Sequence, residues 1–213
     1  MRVEYLEPSS IEEAGSLLAS HGNKAKVLAG GTDLVVRMKE QTITPQYVIS
    51  LGRLADLNYI SIDEKGLKVG ALTPIGEIER SSQLQSKYGI ISQAARHLAD
   101  ALIRNMATIG GNLCNAAPSA DMAPPLMALS ATAKLHSTTG ERIVPLEDFF
   151  TGPGTTVLNP DELLTEIQVS LPPAHTAGVY LKHTPRGTVD LAVVGVAVLL
   201  TMGSTNGACT DAK

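Results

Sequence analysis

Two glycine pairs, about eighty residues apart, are the parts of this sequence best suited to hold a ligand: Ala29-Gly30-Gly31-Thr32-Asp33-Leu34 and Thr108-Ile109-Gly110-Gly111-Asn112. Glycine lets the backbone approach another group with no side chain in the way. The first pair follows an apolar, strand-like run and precedes a helix-like one. A bare turn at a helix start offers unpaired N–H groups and the positive end of the helix dipole to an anion. Two such turns imply a grip on both phosphates of a dinucleotide. Thr32 adds a hydroxyl donor. Asp33 would repel phosphate if turned inward, so its carboxylate either caps the following helix or braces the loop.

Other ligand chemistries are poorly served. No Gly-Lys-Ser/Thr follows the first pair, and no GxGxxG follows a strand, so neither the P-loop nor the dinucleotide fingerprint of a doubly wound sheet is present. Gly152-Pro153-Gly154 reads as a plain loop. Cys114 and Cys209 are the only cysteines, and without CxxC spacing they disfavour a protein-held zinc or iron–sulfur centre. Cys114 reads as a small packing residue, and so few cysteines in a chain of 213 residues point to a reducing compartment. A net charge of −4, no Lys/Arg cluster and 3% aromatic residues argue against a nucleic-acid partner. Met1-Arg2-Val3-Glu4-Tyr5 has no apolar secretory core, and the longest apolar stretch, Leu191 to Met202, is too short to span a bilayer. With 44% hydrophobic residues the chain is expected to build a substantial core and to work in the cytoplasm.

The elements that must position the glycine pairs can be read from pattern. Ser10, with Glu13 three places on, forms a capping box for a helix whose apolar face is Ile11, Ala14, Leu17 and Leu18 and whose stop is Gly22. Ala25 to Ala29 is a strand, and a helix runs from the first pair to about Glu40. Strands at 59–62 and 67–71 flank the turn Asp63-Glu64-Lys65-Gly66. Thr73-Pro74 opens a helix to about Gln85, and a second helix is expected over 90–103, with Leu98 and Leu102 on its apolar face. Residues 112–121 read as turn-rich, and 122–129 as helical. Further strands are expected at 132–136, 142–144, 163–169, 179–182 and 192–201, with a linker at 172–178 and a hairpin turn at Asn206-Gly207. Helices and hairpins without a regular βαβ period favour α+β over a doubly wound parallel sheet.

With these elements in place, three motifs resemble the FAD-binding subunit of the molybdenum hydroxylases: Val27-Leu28-Ala29-Gly30-Gly31-Thr32-Asp33-Leu34, Ile103-Arg104-Asn105-Met106-Ala107-Thr108-Ile109-Gly110-Gly111-Asn112-Leu113 and Pro118-Ser119-Ala120-Asp121. That family includes the medium subunit of aerobic carbon monoxide dehydrogenase and the FAD domain of xanthine dehydrogenase. The likeness runs nearly the whole length, and the motifs are specific in this order and separation where each alone is not. It implies the α+β FAD-binding fold of the p-cresol methylhydroxylase and vanillyl-alcohol oxidase type over residues 1–174, in two parts of about 1–55 and 56–174. The start of a smaller, truncated α+β domain would follow at 175–213.

The resemblance also implies site residues. Val27, Leu28, Ala29, Gly30, Gly31, Thr32, Asp33 and Leu34 would wrap the FAD pyrophosphate. Thr108, Ile109, Gly110, Gly111 and Asn112 would make a second phosphate and ribityl contact. Asp121 matches an aspartate that binds FAD, Leu164 an apolar contact, and Lys182 a lysine beside the cofactor, the alternative for Lys182 being a solvated strand residue. No residue of this chain is expected to be catalytic or to hold a metal. The implied role is electron transfer from the 2Fe–2S clusters of a small partner subunit, through FAD, to NAD⁺, a quinone or oxygen, with a large molybdopterin subunit oxidising the substrate. A self-sufficient FAD-dependent reductase and a non-redox nucleotide-binding module are the alternatives. A bulky β-branched residue at Gly31 or Gly110 is expected to release FAD and leave the fold largely intact.

Overall fold

The computed structural model describes residues 3–187, 189–203 and 207–213. The chain opens with β1 (Glu4–Leu6), α1 (Ile11–His21), β2 (Ala25–Leu28), α2 (Leu34–Lys39) and β3 (Tyr47–Ser50). The three strands pair in parallel in the order β1-β3-β2, the helices serving as the crossovers that parallel strands require. Ser10 caps α1 by accepting the Glu13 N–H at 3.1 Å. The Glu13 carboxylate, however, accepts from the N–H and hydroxyl of Ser9, so the reciprocal half of the box lies one residue earlier than expected. Ala14 and Leu18 of α1 pack with Ile49, Leu51 and Leu163 in a small core.

The hairpin β4 (Ile60–Asp63) and β5 (Gly66–Gly70) follows, as its turn residues imply. Asp63 Oδ1 accepts from the Lys65 and Gly66 N–H groups, and Gly66 takes a φ of 134°. A run of short helices comes next: α3 (Ile75–Arg80), α4 (Ser82–Lys87), α5 (Gly89–His97), α6 (Ala101–Met106), α7 (Ile109–Asn115) and α8 (Ala123–Ala128). Then come β6 (Thr132–Ser137), β7 (Gly140–Pro145), the small ribbon β8 (Phe150–Gly152) and β9 (Thr155–Thr156), and β10 (Leu163–Ser170). β10 inserts between the two hairpins to give the antiparallel order β4-β5-β10-β6-β7. A separate antiparallel sheet holds β11 (Thr176–His183), β12 (Val194–Met202) and β13 (Cys209–Ala212). The larger core joins the five-stranded sheet, the short helices and Tyr180 of β11. The result is α+β, as the pattern implied. Among the described residues no helix is long and apolar enough to cross a membrane.

Several elements depart from pattern. The helix expected over 74–85 is interrupted at Ser81, which ends α3 and caps α4 by accepting the Leu84 N–H at 3.3 Å. Thr73 does not cap α3, because its hydroxyl is engaged with the backbone of Tyr59, and Pro74 holds the cap position. The helix expected over 90–103 ends at His97. Ala99 turns to a left-handed φ of 42°, and Asp100 starts α6 by accepting the Ile103 N–H at 2.8 Å. The break buries Leu98 and leaves Leu102 77% exposed, although both read as one face. Residues 109–115, expected as glycine turn and polar loop, form α7. The linker expected to reach residue 178 gives way to β11 at Thr176. Of the expected turn at Asn206-Gly207, Asn206 lies outside the described residues, as do Met1 and Arg2 of the N-terminal segment.

Candidate functional site

The two glycine pairs meet. A Cβ on Gly30 would lie 2.0 Å from the Met106 carbonyl oxygen, so the first loop touches the backbone that leads into the second. A Cβ on Gly111 would lie 3.8 Å from the Ala29 Cβ. The Asn115 side-chain amide donates to Asp33 Oδ1 at 3.0 Å, and the Thr32 hydroxyl to Asp33 Oδ2 at 3.4 Å. Asp33 stands at the start of α2 but makes no side-chain cap there. Of its two expected roles it takes the second: it braces the loop against α7.

Together the loops line a cavity of about 620 Å³, within the range of roughly 300–1,000 Å³ of small-molecule and cofactor sites. Their backbones use it differently. Among the described residues, the N–H groups of Gly30, Gly31, Thr32, Asp33 and Leu34 donate to no protein acceptor. Gly31, at a φ of 77°, supplies the left-handed turn that keeps this run off the strand ladder. Consecutive free N–H groups in such a turn form a cradle for an anion.

The second pair is closed. The Ile109 N–H donates to Thr73 O, Gly110 N–H to Ala71 O at 2.9 Å, Gly111 N–H to the Thr108 hydroxyl at 3.1 Å and Asn112 N–H to Thr108 O. None of these backbone donors is free for a phosphate, which corrects the expectation of two equivalent turns. A Cβ on Gly110 would lie 2.7 Å from Ala71 O and 2.8 Å from Ala71 Cβ. The residue is small so that α7 can lie against the backbone leaving β5, and a larger side chain there attacks the fold as well as the site. What the second motif offers the cavity is the Asn112 side chain, whose oxygen is buried without a partner. A buried acceptor of this kind on a cavity wall is met by a water or by a donor from a ligand.

Opposite the loops lies a buried polar cluster. Asp121 accepts from the Tyr180 hydroxyl at 2.8 Å and from Lys182 Nζ at 2.9 Å, and Lys182 also donates to His97 O at 2.9 Å. The Lys182 and Asp121 side chains are 3% and 7% exposed, so Lys182 is not the solvated strand residue of the alternative reading. Tyr180 is fully buried, with the His97 ring edge-on at 6.1 Å. Burial, and then the bond to Asp121, push its phenol well above the ordinary tyrosine value. Both Asp121 and Lys182 line the cavity.

Of the residues singled out from sequence, Val27, Ala29, Gly30, Gly31, Thr32, Asp33, Leu34, Thr108, Gly110, Gly111, Asn112, Asp121, Leu164 and Lys182 come together on this cavity. Leu28 does not line it, and Ile109 is fully buried in the larger core. Sequence reasoning missed Tyr180, although its place two residues before Lys182 on a strand puts both on one face. It also missed the wall formed by Leu98, Ala99 and Ile103 and the loop residues Val189 and Leu191. Gly154, read as plain loop, lines the cavity too and donates its N–H to Ala116 O.

Comparison with known proteins places the chain in a family and a fold. Residues 1–172 match the family model described as the FAD binding domain in molybdopterin dehydrogenase. The chain is 38% identical over 197 residues to the glyceraldehyde dehydrogenase medium chain of Sulfolobus acidocaldarius, covering 92% of this chain and 69% of that relative. It is 36% identical over 210 residues to the carbon monoxide dehydrogenase medium chain of Afipia carboxidovorans, covering 99% of this chain and 72% of the relative. Among solved structures, reconstituted CO dehydrogenase from Oligotropha carboxidovorans superposes with a TM-score of 0.95 at 35% identity, covering 100% of this chain and 73% of the other.

Proposed function

The chain belongs to the family of FAD binding domains in molybdopterin dehydrogenases, and from that premise we propose that it is the FAD-carrying electron-transfer subunit of a molybdenum hydroxylase. Its partners are a large molybdopterin subunit, which oxidises the substrate, and a small subunit with 2Fe–2S clusters. FAD, when bound, supplies reversible storage of electrons between those clusters and an acceptor such as NAD⁺, a quinone or oxygen. We assign the complex to the cytoplasm, the compartment that a chain with two cysteines fits.

The observation that carries this reading is the run of free N–H groups from Gly30 to Leu34 on the cavity wall. These groups would hold the diphosphate, with the Thr32 hydroxyl beside them. The buried Asn112 oxygen would accept from a cofactor hydroxyl. Asp121 and Lys182 face the cavity as a neutral pair, which adds polarity without net charge beside the cofactor. Leu164 and the apolar residues of the α5–α6 turn exclude water. Leu28 and Ile109 support the two loops from behind. Residues 1–174 form the FAD-binding domain in our reading, in parts of about 1–55 and 56–174, and residues 175–213 the start of a smaller second domain that packs Tyr180 into the core of the first and Lys182 against its cavity. The division is supported by the separate parallel, five-stranded and C-terminal sheets.

The test is reconstitution with FAD followed by gel filtration and a visible absorption spectrum. A flavin band that stays with the protein at one FAD per chain is expected. A colourless protein after reconstitution overturns the reading. Purification from the native host tests the assembly: a molybdopterin subunit should accompany this chain, and a monomer that reduces a small substrate unaided would replace the subunit role with that of a reductase.

A further inference from the structure

The turn between α5 and α6 is gripped by two cations, the largely buried Arg104 and the buried head of Lys182. Arg104 of α6 donates from Nε to Glu79 Oε2 at 2.7 Å and from Nη1 to the carbonyl oxygens of Leu98 and Ala99 at 3.0 and 2.8 Å. Lys182 donates to the preceding carbonyl, that of His97. A helix leaves its last carbonyls without intrahelical partners, and Ala99 holds the left-handed backbone that ends α5 here. The Arg104 and Glu79 side chains are only 14% and 21% exposed, so removing either strands a largely buried charge. Leu98, Ala99 and Ile103 line the cavity beside Lys182. At the far end of α6, the Met106 carbonyl abuts Gly30. α6 is therefore a strut between the free N–H run and the Asp121–Lys182 pair.

We propose that Arg104, anchored by Glu79, is a positioning residue for the cofactor cavity: it fixes the 97–99 turn, and through that turn Lys182 and Asp121. The inference rests on the FAD-binding reading above. The planar guanidinium fork reaches a carboxylate from Nε and two carbonyls from Nη1, donors held rigidly on separate nitrogens, whereas an ammonium's three donors radiate from one point. The side chain needs no contact with the cofactor to act on it.

The experiment titrates FAD into the chain and its variants and records the visible circular dichroism of the bound flavin, which reports the asymmetry of its surroundings. Arg104→Gln is expected to bind FAD about tenfold more weakly, as for loss of one member of a coupled network, and to change the flavin dichroism. Arg104→Lys recovers part of both. Lys182→Met also weakens binding, and the double variant loses less than the product of the single effects, because both residues act on one turn. Arg104 variants that match wild type in affinity and dichroism, or single effects that multiply in the double variant, overturn the inference. A wild-type chain that takes up no FAD overturns the FAD-binding reading instead. If Arg104→Gln does not fold, Arg104→Lys decides alone: reduced affinity with altered dichroism supports the inference, and wild-type values end it.

Discussion

The pair Gly30-Gly31 and the pair Gly110-Gly111 share a dipeptide and a cavity, yet their backbone donors go to different places. Around the first, the N–H groups from Gly30 to Leu34 meet no protein acceptor. Around the second, the N–H groups from Ile109 to Asn112 are all taken, by Thr73, Ala71 and Thr108. Gly31 is glycine for its left-handed φ, and Gly110 for its closeness to the Ala71 backbone. One motif leaves its backbone donors open to the cavity, and the other spends them on the fold. Glycine pairs in sequence do not distinguish these uses, because the distinction lies in what the neighbouring backbone accepts.

Substitutions separate the two uses. The largest effect on stability is expected from Gly110→Val, whose Cβ would lie 2.7 Å from Ala71 O. Overpacking of this kind costs about 3 kcal/mol, read as a lowered urea midpoint of the FAD-free protein. Wild-type stability in that variant would show that the Ala71 backbone can give way and that Gly110 is not required for packing. Gly31→Val is expected to cost only ~1–2 kcal/mol in backbone strain while FAD retention falls far more. Equal losses of stability and binding would make the first loop as structural as the second.

The smallest and most local effect concerns Cys114 on α7. Burial pushes its thiol up to about 12, whereas Cys209 is exposed. A thiol reagent near neutral pH should label Cys209 first and Cys114, half-buried on the cavity wall, far more slowly. Because burial favours the neutral thiol, the stability this carries is complete below the ordinary value of 9.0 and declines as pH rises toward about 12. Labelling of Cys114 as fast as Cys209 would show that the cavity wall at α7 is open to solvent.

Much of the fold was legible where a signal is local. Ser10 caps α1, Asp63 and Gly66 close their hairpin, and Gly30-Gly31 ends β2. The break after His97 has a local mark in the cap residue Asp100, which the apolar periodicity over 90–103 overrode, and it is held by Arg104 and Lys182 capturing carbonyls that no helical pattern marks as available. The split at Ser81 has a local cap residue, but that residue also suits a helix interior facing solvent. At the site, the residue types pointed to an anion, and the family resemblance carried Asp121 and Lys182. That these two form a buried pair closed by Tyr180 depends on β11 crossing α5, a contact between residues 59 and 61 apart in the chain from Asp121. The closure of the second glycine pair likewise depends on Ala71 and Thr73, far upstream.

The lining of the cavity draws on residues from Leu18 to Leu191. During synthesis, therefore, a chain that has emerged with both glycine pairs but not yet with β11 has loops without the Asp121–Lys182 wall. Domains fold as units once enough of the chain is out, and here the unit that matters to the ligand spans nearly all of it. In order of synthesis the two glycine loops precede the wall they share a cavity with, and the site proposed for the cofactor is complete only once β11 has been made.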